Sequence, residues 1–243
     1  KSSAASDVYK RQESIKVTVY FSLLAVVGSM VYSLIVAMLL NRKIPARGFF
    51  RAVFYLPYVL PAAAVYIGWS WLYNTEWGLF NYILSKLGIE RLMFVSSSSQ
   101  VVPSLALIAV WLSGNLIVIF LAGLQNVPRV YHEAAEIDGA NAWQRFWHVT
   151  FPSMTPIIFY NMLMSLITNM QVVTPALALT KGGPGKSSYF MSYMLYNYAF
   201  KQRGKIGLAC AIAFVLFLLI GAFTLLLFAT SKSWIFYEGG DDK

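Results

Sequence analysis

Five apolar segments, each about as long as a bilayer is thick, constrain this chain more than any other feature. A spanning helix needs about 20 mostly apolar residues, and lipid requires that backbone polar groups be satisfied within a helix or a closed barrel. The segments cover residues 18–40, 53–73, 101–125, 155–179 and 206–230. Of 243 residues, 58% are hydrophobic and only 12% are charged, well below the roughly 25% of a soluble domain. The sequence therefore predicts an all-α, polytopic transmembrane helical bundle with five visible spans.

The charged and metal-ligating residues exclude several other classes of protein. The net charge is +9, but the basic residues stand singly between apolar runs, which indicates membrane flanks rather than a nucleic-acid surface. With Cys210 as the one cysteine, neither an intrachain disulfide nor a thiolate metal cluster can form. His132 and His148 are not at metal-ligand spacing. No catalytic triad or carboxylate pair is readable, so we predict that the chain is not an enzyme and holds no metal.

A charged segment, residues 126–152, separates the third and fourth apolar segments. Its apolar positions Val130, Ala134 and Ile137 fall on one face of a helix. Gly139 is expected to end that helix, because glycine enters the left-handed region without steric cost. The pattern predicts a short helix, a sharp bend and a second short helix that leads back into the bilayer.

A spaced motif runs through residues 126–152. We call this whole segment the coupling loop. Its members, separated by three, nine and one residues, are Glu133-Ala134-Ala135, Gly139, Val149 and Phe151-Pro152. The pattern resembles the cytoplasmic coupling motif of ATP-binding-cassette importer permeases, Glu-Ala-Ala-x3-Gly-x9-Ile-x-Leu-Pro. Val149 and Phe151 replace its Ile and Leu and keep the apolar character.

Two flanking segments, 41–61 and 180–185, are similar to permeases of sugar importers that act on oligosaccharides and glycerol phosphate. Such permeases typically have six core helices, so the resemblance implies one helix before Glu13. Residues 1–12 read, codon by codon, like a translated sequencing adapter. We therefore expect the permease domain to occupy residues 13–243.

The resemblance implies a permease subunit of an ATP-driven, binding-protein-dependent sugar importer, multi-pass in the cytoplasmic membrane of a bacterium or archaeon. The implied partners are a second homologous permease, two ATP-binding subunits, an external solute-binding protein, the sugar and the lipid bilayer. ATP and Mg²⁺ would be bound by the ATP-binding subunits, with no cofactor in this chain. The coupling loop would lie in the cytoplasm and dock on the ATPase through Glu133, Ala134, Ala135, Asp138, Gly139 and Pro152.

Two alternatives stay open at this point. The coupling motif is shared by importers of amino acids and polyamines, although the flanking segments favour the oligosaccharide type. A permease-like chain could also serve as a signalling partner without transport. The segment Gly185-Lys186-Ser187 resembles the end of a phosphate-binding loop, but Thr180 stands where that loop needs a glycine and Pro184 removes an amide donor.

Uncharged polar residues inside the spans usually face the bundle interior or a solvated path. We expect Asn115, Asn169, Gln171 and Thr174 to line the substrate pathway and to bind sugar hydroxyls. The wider set of candidates comprises Ser113, Asn161 and Thr168, with Tyr66, Trp69 and Trp111 as stacking faces. The alternative is that these residues hold neighbouring helices together.

Overall fold

The computed structural model describes residues 2–202 and 204–236, with side chains from residue 11 onward, and all the regular secondary structure in the described part is helical. The all-α prediction is confirmed. The helices are α1 Ser2–Asn41, α2 Arg47–Val59, α3 Ala62–Leu72, α4 Leu79–Lys86, α5 Val101–Trp111, α6 Gly114–Asn126, α7 Arg129–Ile137, α8 Ala142–Arg145, α9 Phe151–Met170, α10 Met191–Tyr196 and α11 Ile206–Ser231. Three five-residue π-helical turns add Phe146–Thr150, Ala176–Thr180 and Asn197–Lys201.

Among the described residues, two single helices are long and apolar enough to cross a bilayer, namely the 31-residue part of α1 from Arg11 to Asn41 and the 26-residue α11. Two further spans are possible if bent pairs count as one each: α2 with α3, bent by 100°, and α5 with α6, bent by 50°. The fourth predicted span, residues 155–179, is not among these candidates. The helix there is α9, which has 20 residues and ends at Met170, so the described residues give at most four of the five predicted spans.

Each bent pair has a local cause. Leu60, between α2 and α3, is extended at φ −70° and ψ 144°, because the residue before a proline is pushed out of the helical region. At the start of α6, a Cβ on Gly114 would lie only 2.6 Å from the Phe54 carbonyl oxygen. The second break therefore depends on a backbone approach that only glycine permits.

Helix α1 runs through the centre of the bundle and packs on α5, α6 and α9. Its buried face carries a row of small polar residues: Ser14, Thr18, Ser22, Ser29 and Ser33. Small residues let membrane helices approach closely and bond across the interface. The Ser33 and Ser113 hydroxyls are 2.9 Å apart, and the Met191 N–H donates to Thr18 at 2.9 Å. These contacts fix α1 against α5, α6 and α10.

Candidate functional site: a docking helix and a polar cavity

The first helix of the coupling loop, α7, has no buried residue. Val130 is 68% exposed and Ile137 is 87% exposed, so the predicted apolar face has no partner in the described chain. Glu133 and Ala134 are exposed on the same short helix. Helix α7 therefore presents a small, apolar and acidic surface that the described residues leave uncovered.

The bend after α7 has the geometry predicted for Gly139, with φ at +76°. The Gly139 N–H donates to the Glu136 carbonyl at 3.0 Å, and the Ala140 N–H donates to the Ala135 carbonyl at 2.9 Å. This pair of bonds is the Schellman motif that ends many helices at a left-handed glycine. Asp138, the residue before the glycine, is exposed at the end of α7.

The second half of the coupling loop is fixed to α9. Asn141 and Gln144 form a capping box: the Gln144 N–H donates to Asn141 Oδ1 at 2.9 Å, and the Asn141 N–H donates to Gln144 Oε1 at 2.8 Å. Arg145 pairs with Glu136 across the bend. A π-turn then leads directly into α9, whose first turn contains Pro152, so only the bend at residues 138–141 is non-helical between α7 and α9.

A polar cavity of about 400 Å³ lies where the helix breaks meet. Tyr58 and Tyr66 flank the break between α2 and α3, while Ser113 and Asn115 flank the break between α5 and α6. The other lining residues are Ser29, Ala109, Leu112, Leu116, Asn161, Met164, Ser165, Thr168 and Asn169. Non-helical backbone at membrane depth is tolerated where it lines a cavity, and transporters often place substrate sites at such breaks.

The amides in the cavity retain unused hydrogen-bonding capacity. Asn161 and Asn169 each donate through Nδ2 to their own helix, to the carbonyls of Ile157 and Ser165, at 2.8 Å. Within the described residues nothing donates to their side-chain oxygens, and the Asn115 amide has no hydrogen-bond partner. All the lining residues are uncharged, so the cavity offers acceptors, donors and tyrosine rings without an ionic group.

The structure brings together part of the predicted pathway set. Asn115 and Asn169 line the cavity, together with Ser113, Asn161, Thr168 and Tyr66. Gln171 lies exposed just beyond the end of α9, and both it and Thr174 lie outside the cavity.

Two residues of the wider set, Trp69 and Ser113, have packing roles. This agrees with the alternative that such residues hold neighbouring helices together. Trp69 packs in an aromatic cluster, with its ring centroid 5.1 Å from Tyr73 and 5.5 Å from Trp111. Ser113 bonds to Ser33 of α1 at 2.9 Å, a contact that holds two helices together.

Ser29, Tyr58 and Ser165 line the cavity and were not predicted from the sequence. The sequence does contain a signal for Ser165. It lies four residues from both Asn161 and Asn169, so the three form a polar stripe on one face of α9.

Comparison with known proteins gives concordant matches. Residues 29–233 match the family described as binding-protein-dependent transport system inner membrane component. The multiple sugar-binding transport system permease protein MsmF of Streptococcus mutans is 36% identical over 226 residues, covering 93% of this chain and 77% of that protein. The trehalose/maltose transport system permease protein MalF of Thermococcus litoralis is 32% identical over 210 residues, covering 86% and 70%.

A solved structure supports the same fold. One chain in the crystal structure of a bacterial alginate ABC transporter, in complex with an alginate pentasaccharide-bound periplasmic protein, superposes with a TM-score of 0.78. It covers 90% of this chain and 77% of that chain at 20% sequence identity.

Proposed function

The chain belongs to the binding-protein-dependent transport system inner membrane components, a family of transporter permeases, and we propose that it carries a neutral sugar across the membrane. The permease itself has no catalytic role. We assign ATP and Mg²⁺ binding to two ATP-binding subunits and solute delivery to an external binding protein. The relatives named for trehalose, maltose and multiple sugars support this substrate class.

The uncharged cavity at the helix breaks is the observation that carries the proposal. A buried polar group without a partner costs about 1–3 kcal/mol, and sugar hydroxyls can donate to the free oxygens of Asn161 and Asn169 while bonding to Asn115. The ring of Tyr58, which is 49% exposed and lines the cavity, offers a flat apolar face for a pyranose. A phosphate or carboxylate solute would enter with no opposite charge among the lining residues, so the site favours a neutral solute.

The cavity is open on one side and needs a protein cover. Met164 and Thr168 of α9 are exposed at its edge, and lipid would leave the nearby amides without partners. We assign this side to the second homologous permease, which would supply the other half of the pathway.

The coupling loop connects ATP hydrolysis to this cavity. We propose that α7 docks in a groove of the ATPase subunit, with Ala134 and Ala135 permitting close backbone approach and Glu133 and Asp138 meeting basic groups. Closure of the ATPase subunits would displace α7, and the bend at Gly139 would pass the displacement to α9. Because α9 carries Asn161 and Asn169, the same motion rearranges the solute site.

Reconstitution of the complete transporter in proteoliposomes tests the proposal. We expect ATP-dependent uptake of a labelled neutral oligosaccharide and no uptake of glycerol 3-phosphate, which is hydroxylated but anionic. Uptake of an amino acid or a polyamine in place of sugar would refute the assigned solute. ATPase activity without uptake of any of these solutes would favour the signalling alternative.

A further inference from the structure

Four basic residues lie in and beside the short connection between α1 and α2: Arg42, Lys43, Arg47 and Arg51. None of them has a carboxylate within ion-pair distance in the part of the chain that the structure describes. Elsewhere in that part, Lys16 pairs with Glu13 and Arg145 pairs with Glu136. The connection therefore presents a concentrated positive charge that the described residues do not neutralise.

The two inner arginines of this cluster converge on one neutral group. With the Gln125 amide oxygen turned toward them, it accepts from Arg47 Nη2 at 2.9 Å and from Arg51 Nη2 at 3.0 Å. Arg47 Nε also donates to the Leu40 carbonyl at 2.5 Å, where α1 ends. Two guanidinium groups held this closely repel one another, and an amide oxygen does not compensate their charge.

Arg51 also carries an unsatisfied donor. Its Nε is enclosed by the protein and has no hydrogen-bond partner, so the charge of this guanidinium is poorly compensated within the described residues. A guanidinium presents its N–H groups as a planar fork that matches carboxylate and phosphate oxygens. The arginine pair is thus prepared for an oxyanion.

The surroundings place this pair at the membrane surface. Phe49, Val53 and Leu56 fall at i, i+4 and i+7 on the opposite face of α2, and all three are exposed. A helix with apolar rings on one face and arginines on the other is typical of the lipid interface. Gln125, at the end of α6, fixes the cluster on the same side as the coupling loop.

We propose that the Arg47–Arg51 pair binds the phosphodiester headgroup of an anionic phospholipid in the leaflet that carries the coupling loop. The exposed Arg42 and Lys43 add long-range attraction for the same headgroup. The headgroup would meet the Nη1 groups of the two arginines, which make no hydrogen bond within the described residues, and would fix the start of α2 next to the end of α6. This proposal does not depend on the identity of the transported sugar.

Lipid retention by the assembled transporter tests the proposal. The complex is placed in nanodiscs of phosphatidylcholine with a graded fraction of phosphatidylglycerol, and retained lipid is measured by native mass spectrometry. We expect Arg51→Gln or Arg47→Gln to weaken retention of phosphatidylglycerol about fivefold, which corresponds to about 1 kcal/mol for one basic residue at an anionic surface. The control is Lys86→Gln, an exposed cation at the end of α4, which should leave retention unchanged.

Several outcomes would overturn the proposal. Equal retention of the two lipids by the unmodified complex would do so, as would an equal loss in the Lys86 variant. Stabilisation by inorganic phosphate in pure phosphatidylcholine to the same extent as by phosphatidylglycerol would identify a free-anion site. If Arg51→Gln released the ATPase subunit while phosphatidylglycerol stayed bound, the occupant would be a carboxylate of that partner.

Two further variants keep the test decisive. If Arg51→Gln fails to assemble, Arg51→Lys takes its place. Lysine keeps the positive charge but lacks the planar fork of N–H groups, so phosphatidylglycerol retention below that of the Lys86→Gln control would support the proposal. Three acidic residues, Glu238, Asp241 and Asp242, stand in the last six positions of the sequence, and neutralising them should leave phosphatidylglycerol binding unchanged. A gain in binding would assign the arginine pair to these carboxylates instead.

Discussion

Gly139→Val should separate ATP hydrolysis from transport. Gly139 has φ at +76°, and a Cβ placed there would meet nothing within 4 Å, so the substitution acts through the backbone alone. A residue with a Cβ loses roughly 1–2 kcal/mol in the left-handed region. That loss changes the ratio of the correctly bent loop to other conformations by a factor of about 5–30.

Gly88 provides a matched control for this change. It follows α4 with φ at +73°, and a Cβ added to it would also meet no atom within 4 Å, so Gly88→Val imposes the same backbone cost away from the coupling loop. Gly139→Asn is a milder version, because asparagine enters the left-handed region more readily than valine. We expect coupling to decrease in the order glycine, asparagine, valine at position 139 and to persist in the Gly88 variant.

The assay is the ratio of sugar taken up to ATP hydrolysed in proteoliposomes. Gly139→Val should lower this ratio by up to about 5–30-fold, the effect of about 1–2 kcal/mol on the bend, while membrane insertion stays normal. An unchanged ratio in that variant would refute the assignment of the bend as the coupling element. An equal decrease in Gly88→Val would show that general destabilisation explains the effect.

Three further predictions concern the coupling loop and the cavity. Glu133→Lys should reduce co-purification of the ATPase subunit, and added salt should weaken the unmodified contact, because exposed ion pairs are screened. Full recovery of the ATPase subunit with the lysine variant would contradict an ionic contact at Glu133. Glu136→Lys should lower coupling by a few-fold at most, since exposed pairs contribute about 0–1 kcal/mol, and adding Arg145→Glu should restore coupling. A double variant that couples no better than the single one would argue that the Arg145–Glu136 pair does not brace the bend. Asn169→Leu should lower sugar uptake more than Gln171→Leu does, while assembly and basal ATPase activity stay intact. A loss of thermal stability without an uptake defect would assign Asn169 to helix packing.

The helical class and the form of the coupling loop could be predicted because their signals are local. Segment length and hydropathy require helices in lipid. The bend at Gly139 follows from one residue and its conformational freedom. Pro61 is also visible in the sequence, but a proline near the start of a span is compatible with a mild kink, whereas the structure has a 100° bend between the helices on either side of it.

The second break and the cavity could not be derived in the same way. The chain bends at Ser113 and Gly114, where α2 passes so close that the Phe54 carbonyl is 2.6 Å from where a Cβ on Gly114 would lie. The serine–glycine pair is a local signal for a kink, but the contact with α2 is tertiary and has no signal in the sequence. The cavity likewise joins Asn115 and Asn169 from distant parts of the chain, although the polar stripe on α9 could have been found by its spacing.

The nine residues of α7 would not form this helix by themselves. Isolated helices shorter than about 12–15 residues are marginal in water, and α7 has no buried side chain to support it. Its shape comes from its ends, Pro128 before it and the Gly139 bend after it, and from the membrane helices that hold those ends. A linear peptide copied from α7 would therefore compete poorly for the ATPase subunit, and an effective inhibitor would need a covalent brace on the side away from Ala134.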